Sequence, residues 1–249
     1  MAGLVVLFGL MIGSFLNVVI ARLPAGKSLW RPRSACPTCG AQIAWHDNIP
    51  VLSYLLLRAR CRACGGPISI RYPIVEAATG LAFLAAWARF GAGPEFVIAI
   101  VLLSALIAIT VIDLDLQIIP DAITLPGILA GIVASVATGW VSWVDSLLGI
   151  ALGGGAFLAI ILVSGGGMGG GDMKLGAMLG AFLGWKLTVV AMFLSVVVGG
   201  TVAIGILATG RKGRKDAIPF GPFLALGGAV ALFWGQGLLT WYLEAFAVG

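Results

Sequence analysis

Charge is what this sequence lacks most. Only 10% of its 249 residues are Asp, Glu, Lys or Arg, and histidine occurs once, whereas soluble domains carry about 25% charged residues. The longest stretches without any charged residue or histidine are 1–21, 96–112, 122–144, 146–171, 187–210 and 217–243. A helix needs about 20 apolar residues to cross a bilayer. The scarcity of charge therefore argues against an ordinary soluble domain and predicts several membrane spans.

Two further apolar segments, about 72–90 and 172–186, carry a charge near one end. With them, the sequence predicts an all-α polytopic membrane protein with about eight transmembrane helices. Residues 172–209 must supply two helices and a turn from 38 residues. We therefore expect the first of these two helices to be short or partly shielded by its neighbours.

Basic residues are concentrated after the first span. Eight of the 15 Lys and Arg residues lie there, namely Arg22, Lys27, Arg31, Arg33, Arg58, Arg60, Arg62 and Arg71. The positive-inside rule predicts that the loop 24–71 is cytoplasmic, together with the loops near 113–121, 164–174 and 210–218. Because the net charge of +5 follows from this topology, we expect no nucleic-acid partner. No basic residue precedes the first span, so we also expect no cleavable signal peptide.

All four cysteines lie in the predicted cytoplasmic loop as two C-x-x-C-G pairs, Cys36 with Cys39 and Cys61 with Cys64. The two-residue spacer lets both thiolates of a pair face one ion, and the glycine permits a tight turn. Four thiolates suit tetrahedral zinc, and a reducing cytoplasm argues against disulfides. The pattern predicts a structural zinc site, with a redox pair or unpaired thiols as alternatives. We interpret His46 as a polar loop residue rather than a ligand.

Three acids lie in the segment VIDLDLQIIPDAITLP, which ends the third predicted span and opens the fourth. Pro120 stops one helix, and Asp121 is predicted to cap the next. Asp113 and Asp115 are two residues apart, so on a helix they project about 200° from one another. They cannot both face the same partner.

A fourth acid, Asp172, follows the glycine-rich run 165–171 at the same predicted membrane edge as Asp113. Two carboxylates brought together suit an aspartic hydrolase, in which one draws a proton from water while the other polarises the carbonyl. The glycines would then open one wall of the site to an extended peptide. The alternative is a flexible turn with Asp172 as a helix cap, and the residues alone favour neither interpretation.

Eight segments of the chain, counting each cysteine pair as one, resemble the type IV prepilin peptidase family. They are GSFLNVVIARLP (13–24), the two cysteine pairs, NIPVLSYL (48–55), RYPIVE (71–76), IDLDLQIIPD (112–121), GMGGGDMKLGAMLG (167–180) and IPFGPFLALGG (218–228). The resemblance implies an intramembrane aspartyl protease of the G-x-G-D type in the bacterial inner membrane. It would cut prepilins and pseudopilins, at the cytoplasmic edge, after the glycine that ends a short basic leader.

The family pattern assigns roles to residues of this chain. Asp113 and Asp172 correspond to the catalytic pair, and Gly169 and Gly171 to the glycines beside the substrate. A second activity of the family methylates the new amino terminus with S-adenosylmethionine and is associated with the cysteine loop. The implied division is a first helix (1–23), a zinc-binding loop (24–71) and a peptidase domain (72–249).

Two further acids are candidates for substrate binding. We expect Asp115 to attract the basic leader. Glu76 lies about one turn into the second span, and either forms a salt link or helix-positioning contact or holds the new ammonium terminus. The helix dipole suggests a division between the catalytic acids, with Asp172 as base at a helix start and Asp113 as acid at a helix end.

Two other functions remain open from the residues alone. A transporter could use buried acids to relay ions or protons, but it would be expected to show paired halves, and no internal repeat is evident. A non-catalytic, membrane-anchored zinc module would explain the cysteines but not the aspartates.

Overall fold

The computed structural model describes residues 1–164, 169–209 and 218–246. These residues contain no β-strand, which confirms the all-α prediction. Their α-helices are α1 (Ala2–Arg22), α2 (Leu52–Leu56), α3 (Arg71–Phe90), α4 (Pro94–Leu116), α5 (Asp121–Thr138), α6 (Trp143–Val163), α7 (Gly170–Ala208) and α8 (Gly221–Phe246).

Six of these helices are long and apolar enough to cross a membrane, namely α1, α4, α5, α6, α7 and α8. The chain is therefore a multi-pass membrane protein, as predicted. Helix α3, which carries Arg71, Glu76 and Arg89, is not among the six. The eight predicted segments correspond to α1, α3, α4, α5, α6, the two halves of α7, and α8.

Helix α7 is broken at Gly184. At 1.5 Å per residue, its 39 residues would extend about 58 Å if straight, far beyond a hydrocarbon core of about 30 Å. Gly184 has φ 69° and ψ 170°, a backbone conformation that residues with a Cβ rarely adopt. The break therefore divides α7 into the two helices that the sequence predicts for residues 172–209.

The first half of α7 lies in the interior of its helix bundle. Every residue from Leu175 to Gly184 is buried, and α7 packs against α5, α6 and α8. Its alternating glycine, alanine and large apolar residues allow neighbouring helices to approach closely. This short helix is surrounded by neighbouring helices and not by lipid. The expectation of a short or shielded helix after residue 172 is confirmed.

The chain divides into two compact units within α4. Unit 1 comprises Met1–Ala108 and unit 2 comprises Ile109–Gly249. In unit 1, α1 packs against α3, and in unit 2 the bundle forms around α7. The predicted functional domains, with boundaries after residues 23 and 71, do not coincide with this division and remain a prediction.

Candidate active site and metal centre

One end of the unit 2 bundle carries a cavity of about 240 Å³. It lies where α4 ends and where α5 and α7 begin. The lining residues are Asp113, Gln117, Ile118, Ile119, Asp121, Gly169, Gly171 and Asp172. The structure thus brings together four of the residues singled out from the sequence, Asp113, Asp172, Gly169 and Gly171.

Asp113 lies in the last turns of α4 and is only 5% exposed. Its Oδ2 accepts a hydrogen bond of 3.0 Å from the backbone N–H of Gly221, the first residue of α8. The first N–H groups of a helix have no partner within the helix, so a carboxylate satisfies one of them here. A Cβ on Gly221 would lie 2.6 Å from the same oxygen, which explains why this position suits glycine.

Asp172 lies in the first turn of α7 and is partly buried. Gly169 is the N-cap residue of the helix, and the Asp172 N–H donates to its carbonyl at 3.2 Å. Asp172 is therefore a residue of the first turn and not the helix cap. Since Asp113 also meets a helix N-terminus, that of α8, the dipole argument no longer distinguishes a base from an acid.

The two glycines of the predicted motif differ in their surroundings. Gly169 is exposed at the cavity. A Cβ on Gly171 would lie 2.8 Å from the Cβ of Ile119, so glycine there lets α7 begin against the α4–α5 connection. The remainder of the glycine-rich run, residues 165–168, lies outside the described residues.

Asp121 forms an ion pair across the cavity rim. Its two carboxylate oxygens lie 2.6 and 2.7 Å from Lys174 Nζ. Asp121 is the first residue of α5, whose N-cap is Pro120, and no side chain caps the helix. The predicted capping role is therefore wrong. The carboxylate instead connects the start of α5 to the first turns of α7.

Asp115 is exposed and does not line the cavity, whereas Asp113, two residues earlier, is buried. This matches the predicted opposite directions of the two side chains, and leaves a substrate-binding role for Asp115 as a prediction. Gln117 was missed from the sequence. It lines the cavity at the end of α4 with φ 55°, a strained conformation for a residue with a side chain.

Gly221 and Asp121 were also given no functional role at the sequence level. The adjacent Pro222 is a sequence signal for Gly221. Proline is common in the first turn of a helix, so it indicates that a helix begins here and that the N–H of Gly221 has no partner within the helix. No local signal identifies the partner of Asp121, since Lys174 lies 53 positions further along the chain.

The four cysteine side chains of unit 1 form one cluster. All four Sγ atoms lie within 4.8 Å of one another, and those of Cys36 and Cys64 are 3.9 Å apart. In each pair the amide after the second cysteine donates to the carbonyl of the first, at 2.9 Å for Gly40 and 2.8 Å for Gly65. Both glycines have positive φ, 73° and 70°, as the tight turns require.

The electrostatics of the cluster differ between its members. Backbone N–H groups of Cys39 and Thr38 lower the pKa of the Cys36 thiol to about 6. At Cys64 the N–H of Gly66 lowers the pKa, but the neighbouring thiols and burial outweigh it and raise the value to about 11. Four thiolates repel one another without a cation. The donor set and its geometry can hold a metal ion.

An ion pair braces the loop that carries the cysteines. The Arg62 guanidinium donates to both oxygens of Asp47 over 2.6–3.1 Å, and these hydrogen bonds hold the pKa of Asp47 below its ordinary value. His46 is half exposed and lies 3.8 Å from Asp47. It is not a member of the cysteine cluster.

Glu76 lies in unit 1 and is 8% exposed. Its Oε2 accepts a hydrogen bond of 2.7 Å from the backbone N–H of Val51, and the Ser14 hydroxyl is a further partner. The sequence left several roles open for Glu76, and these contacts agree with the role of positioning helices. They connect α1, α2 and α3.

Two known protein families match consecutive parts of the chain. The type IV leader peptidase family matches residues 100–204, and the bacterial peptidase A24 N-terminal domain matches residues 7–90. The prepilin leader peptidase/N-methyltransferase of Aeromonas hydrophila is 40% identical, and the alignment covers 98% of this chain and 94% of that protein. The chain belongs to the type IV leader peptidase family.

Two further relatives carry the same name and match long parts of this chain. The protein of the same name from Pseudomonas putida is 38% identical over 94% of this chain and 90% of its own length. The one from Myxococcus xanthus is 48% identical, and the match spans 83% of this chain but only 64% of that protein. No solved structure matches the chain significantly. The family resemblance seen in the sequence is confirmed.

Proposed function

We propose that this chain cleaves the leader from type IV prepilins and pseudopilins and then methylates the new amino terminus. The observation that carries the peptidase assignment is that Asp113 and Asp172 line one cavity where helices of a membrane bundle end. The names of the relatives support both activities.

The mechanism uses the two carboxylates as an acid–base pair. One carboxylate takes a proton from a water molecule, whose oxygen attacks the carbonyl carbon of the scissile peptide bond. The other donates its proton to the carbonyl oxygen, which gives a tetrahedral diol. The C–N bond then breaks as the first carboxyl group passes the proton from water to the leaving nitrogen and the second takes back a hydroxyl proton. The hydrogen bond from Gly221 fixes the orientation of Asp113, which general acid–base catalysis requires.

The size of the cavity fits a short peptide segment. Its 240 Å³ is below the range of about 300–1,000 Å³ found for small-molecule pockets, so it suits the residues around one bond. The apolar helix of the substrate would lie among the spans, and the acids at the rim would attract a basic leader, with Asp115 assisting. We place this site and the cysteine loop at the cytoplasmic face of the bacterial inner membrane.

Zinc is the metal that we propose for the cysteine cluster. A tetrahedral site with Zn–S bonds of about 2.3 Å has sulfur–sulfur distances of about 3.8 Å. The 3.9 Å between the Cys36 and Cys64 sulfurs fits that geometry. With Cys39 and Cys61 as the other ligands, no position remains for water, so the ion would stabilise the loop rather than react.

Methylation requires a donor and an accessible amine. S-adenosylmethionine, when bound, would supply an electrophilic methyl group to the neutral amine, with S-adenosylhomocysteine as the leaving group and the amine proton lost to a base or to solvent. A buried carboxylate such as Glu76 fits a cationic group of either reactant. We therefore assign Glu76 to methyl transfer in addition to its contact with Val51.

Cleavage of purified prepilin by Asp113→Asn and Asp172→Asn variants tests the peptidase assignment. We expect each to reduce the rate by about 10²–10⁴-fold, the usual contribution of a general acid or base. Asp145→Asn is the matched control, because Asp145 also lies in the first turn of a helix, α6, but does not line the cavity. Substantial cleavage by either active-site variant would exclude the two-carboxylate mechanism.

The same assay separates the alternative functions. A transporter or a non-catalytic zinc module would leave prepilin at full length even with the wild-type chain. The zinc module gives no reason for two acids in one cavity, and the transporter would be expected to show an internal repeat.

A further inference from the structure

Three segments of unit 1 meet in a polar cluster with two buried side chains, Asn17 and Glu76, that the peptidase mechanism does not use. We call Ser14, Asn17, Val51, Tyr72 and Glu76 the α1–α3 polar cluster. Its members come from α1, from the start of α2 and from α3. Helices α1 and α3 approach closely here, because a Cβ on Gly13 would lie 2.6 Å from the Cα of Glu76.

Glu76 provides a buried negative charge to this cluster. Its carboxylate accepts a hydrogen bond from the Val51 N–H and interacts with the Ser14 hydroxyl, and within residues 1–164, 169–209 and 218–246 it forms no ion pair. A buried carboxylate without a counter-ion is unfavourable. The local chemistry therefore suits a cation.

Asn17 provides an acceptor that has no donor. It is 4% exposed, its Nδ2 donates to the Tyr72 carbonyl at 3.1 Å, and its buried Oδ1 has no hydrogen-bond partner among the described residues. The amide cannot be turned round, since the Tyr72 carbonyl only accepts hydrogen bonds. Buried acceptors are nearly always satisfied, so Oδ1 indicates a site for a donor.

Val51 is held in a strained conformation beside Glu76. It has φ 60° and ψ −48°, which is rare for a β-branched residue. Such strain persists where the surroundings impose it, often at functional sites. Here its consequence is that the Val51 N–H points at the Glu76 carboxylate and fixes the orientation of that group.

We propose that the α1–α3 polar cluster binds a primary ammonium group, with Glu76 as counter-ion and Asn17 Oδ1 as hydrogen-bond acceptor. An ammonium is compact and carries three donors, whereas a guanidinium is planar and larger. This inference rests on the proposed methylation, which offers two such groups. One is the new amino terminus of the cleaved substrate, and the other is the amino group of S-adenosylmethionine.

Calorimetric binding to the detergent-solubilised full chain tests the site with two pairs of probes. One pair is a short peptide beginning with phenylalanine and its N-acetylated form. The other is S-adenosylhomocysteine and its deaminated analogue. We expect the wild type to prefer the free amine of one pair by about 10–100-fold, as a charge-assisted hydrogen bond implies. The pair that shows the preference identifies the source of the ammonium.

Two variants address the two groups separately. Glu76→Gln keeps an acceptor for Val51 but removes the charge. Asn17→Leu keeps the number of side-chain heavy atoms but removes the acceptor together with the Nδ2 donor to Tyr72. We expect each to reduce the preference to less than about threefold. Ser104→Ala is the control, because the Ser104 hydroxyl bonds only its own helix, at Ile100.

Three results would overturn the inference. The wild type could bind the free amine and the blocked form equally in both pairs, or the variants could keep the full preference for the free amine. The variants could also lose affinity equally for the free amine and the blocked form, which would indicate a structural role. Thermal melting of each variant identifies those that fail to fold. If the preference is found but the wild type transfers no methyl group, the ammonium site stands and the proposed methylation fails.

Discussion

The two units of this chain place polar chemistry in a mostly apolar protein in different ways. In unit 2 the acids Asp113, Asp121 and Asp172 lie at helix ends, and the free backbone N–H of Gly221 holds one of them, Asp113. In unit 1 the cysteines lie in an exposed loop, and their turns are closed by glycines. Backbone N–H groups at the ends of membrane helices need hydrogen-bond partners, so a carboxylate at a helix end can satisfy one of them. A loop outside the bilayer has no such helix ends to hold its side chains, and there a bound metal ion can stabilise the fold.

Because the cysteine cluster and the acid pair lie in different units, we expect peptide cleavage and methyl transfer to be separable. Removal of the metal should give the largest difference between the two activities. Cys39→Ser or chelation should abolish stoichiometric zinc and reduce methyl transfer by at least about 100-fold, because the loop loses the ion that holds its fold. Prepilin cleavage should fall by less than about threefold. Zinc analysis and mass spectrometry of the substrate amino terminus measure both effects.

His46→Gln is the matched control for the metal, since His46 lies in the same loop but outside the cysteine cluster. It should retain zinc and both activities. An equal loss of cleavage in Cys39→Ser would show that the two units do not act separately.

A smaller effect is expected from Gly221→Ala in unit 2. The new Cβ would lie 2.6 Å from Asp113 Oδ2, so the carboxylate or α8 must move. Misplacing a catalytic group by about 1 Å can cost about 100-fold in rate, and we expect cleavage to fall by about 10–100-fold with methylation of pre-cleaved pilin retained.

Gly205→Ala provides the control for this change, because a Cβ there meets nothing within 4 Å. It should leave the cleavage rate unchanged. Full activity in Gly221→Ala would mean that the N–H of residue 221 does not position Asp113 during catalysis.

The smallest effect concerns the Asp121–Lys174 pair. Its side chains are 55% and 31% exposed, and such pairs contribute only about 0.2–1 kcal/mol. Lys174→Ala should therefore reduce cleavage by a few fold, and the charge exchange Asp121→Lys with Lys174→Asp should recover part of the loss. A double-mutant cycle measures the coupling, and no recovery would indicate that the individual charges matter rather than the pair.

Much of the fold could be predicted from the sequence because charge-free segments of about 20 residues have few alternatives to spanning a bilayer. The predicted length limit on residues 172–209 indicated a short, shielded helix, and the burial of Leu175–Gly184 agrees. The single break at Gly184 could not be located, since nothing distinguishes this glycine from its neighbours in the sequence.

The candidate site was predictable where a residue is unusual for its segment. Asp113 and Asp172 interrupt apolar segments, and paired cysteines have a characteristic spacing. Asp121 was misassigned because a carboxylate after proline is typical of a helix cap, while its partner Lys174 is distant in sequence. Gly221 and Asn17 act through a backbone N–H and a buried amide oxygen, whose partners only the tertiary structure identifies.

Asp113 and Asp172 line one cavity, and their joint action can be measured by comparing prepilin cleavage by the Asp113→Asn/Asp172→Asn double variant with cleavage by the two single variants. Residues that act as a unit are strongly non-additive. If the two acids form one catalytic pair, the double variant cleaves prepilin no more slowly than the slower single variant. A double variant whose loss of rate equals the product of the two single losses would show that the acids act independently and that no catalytic pair exists.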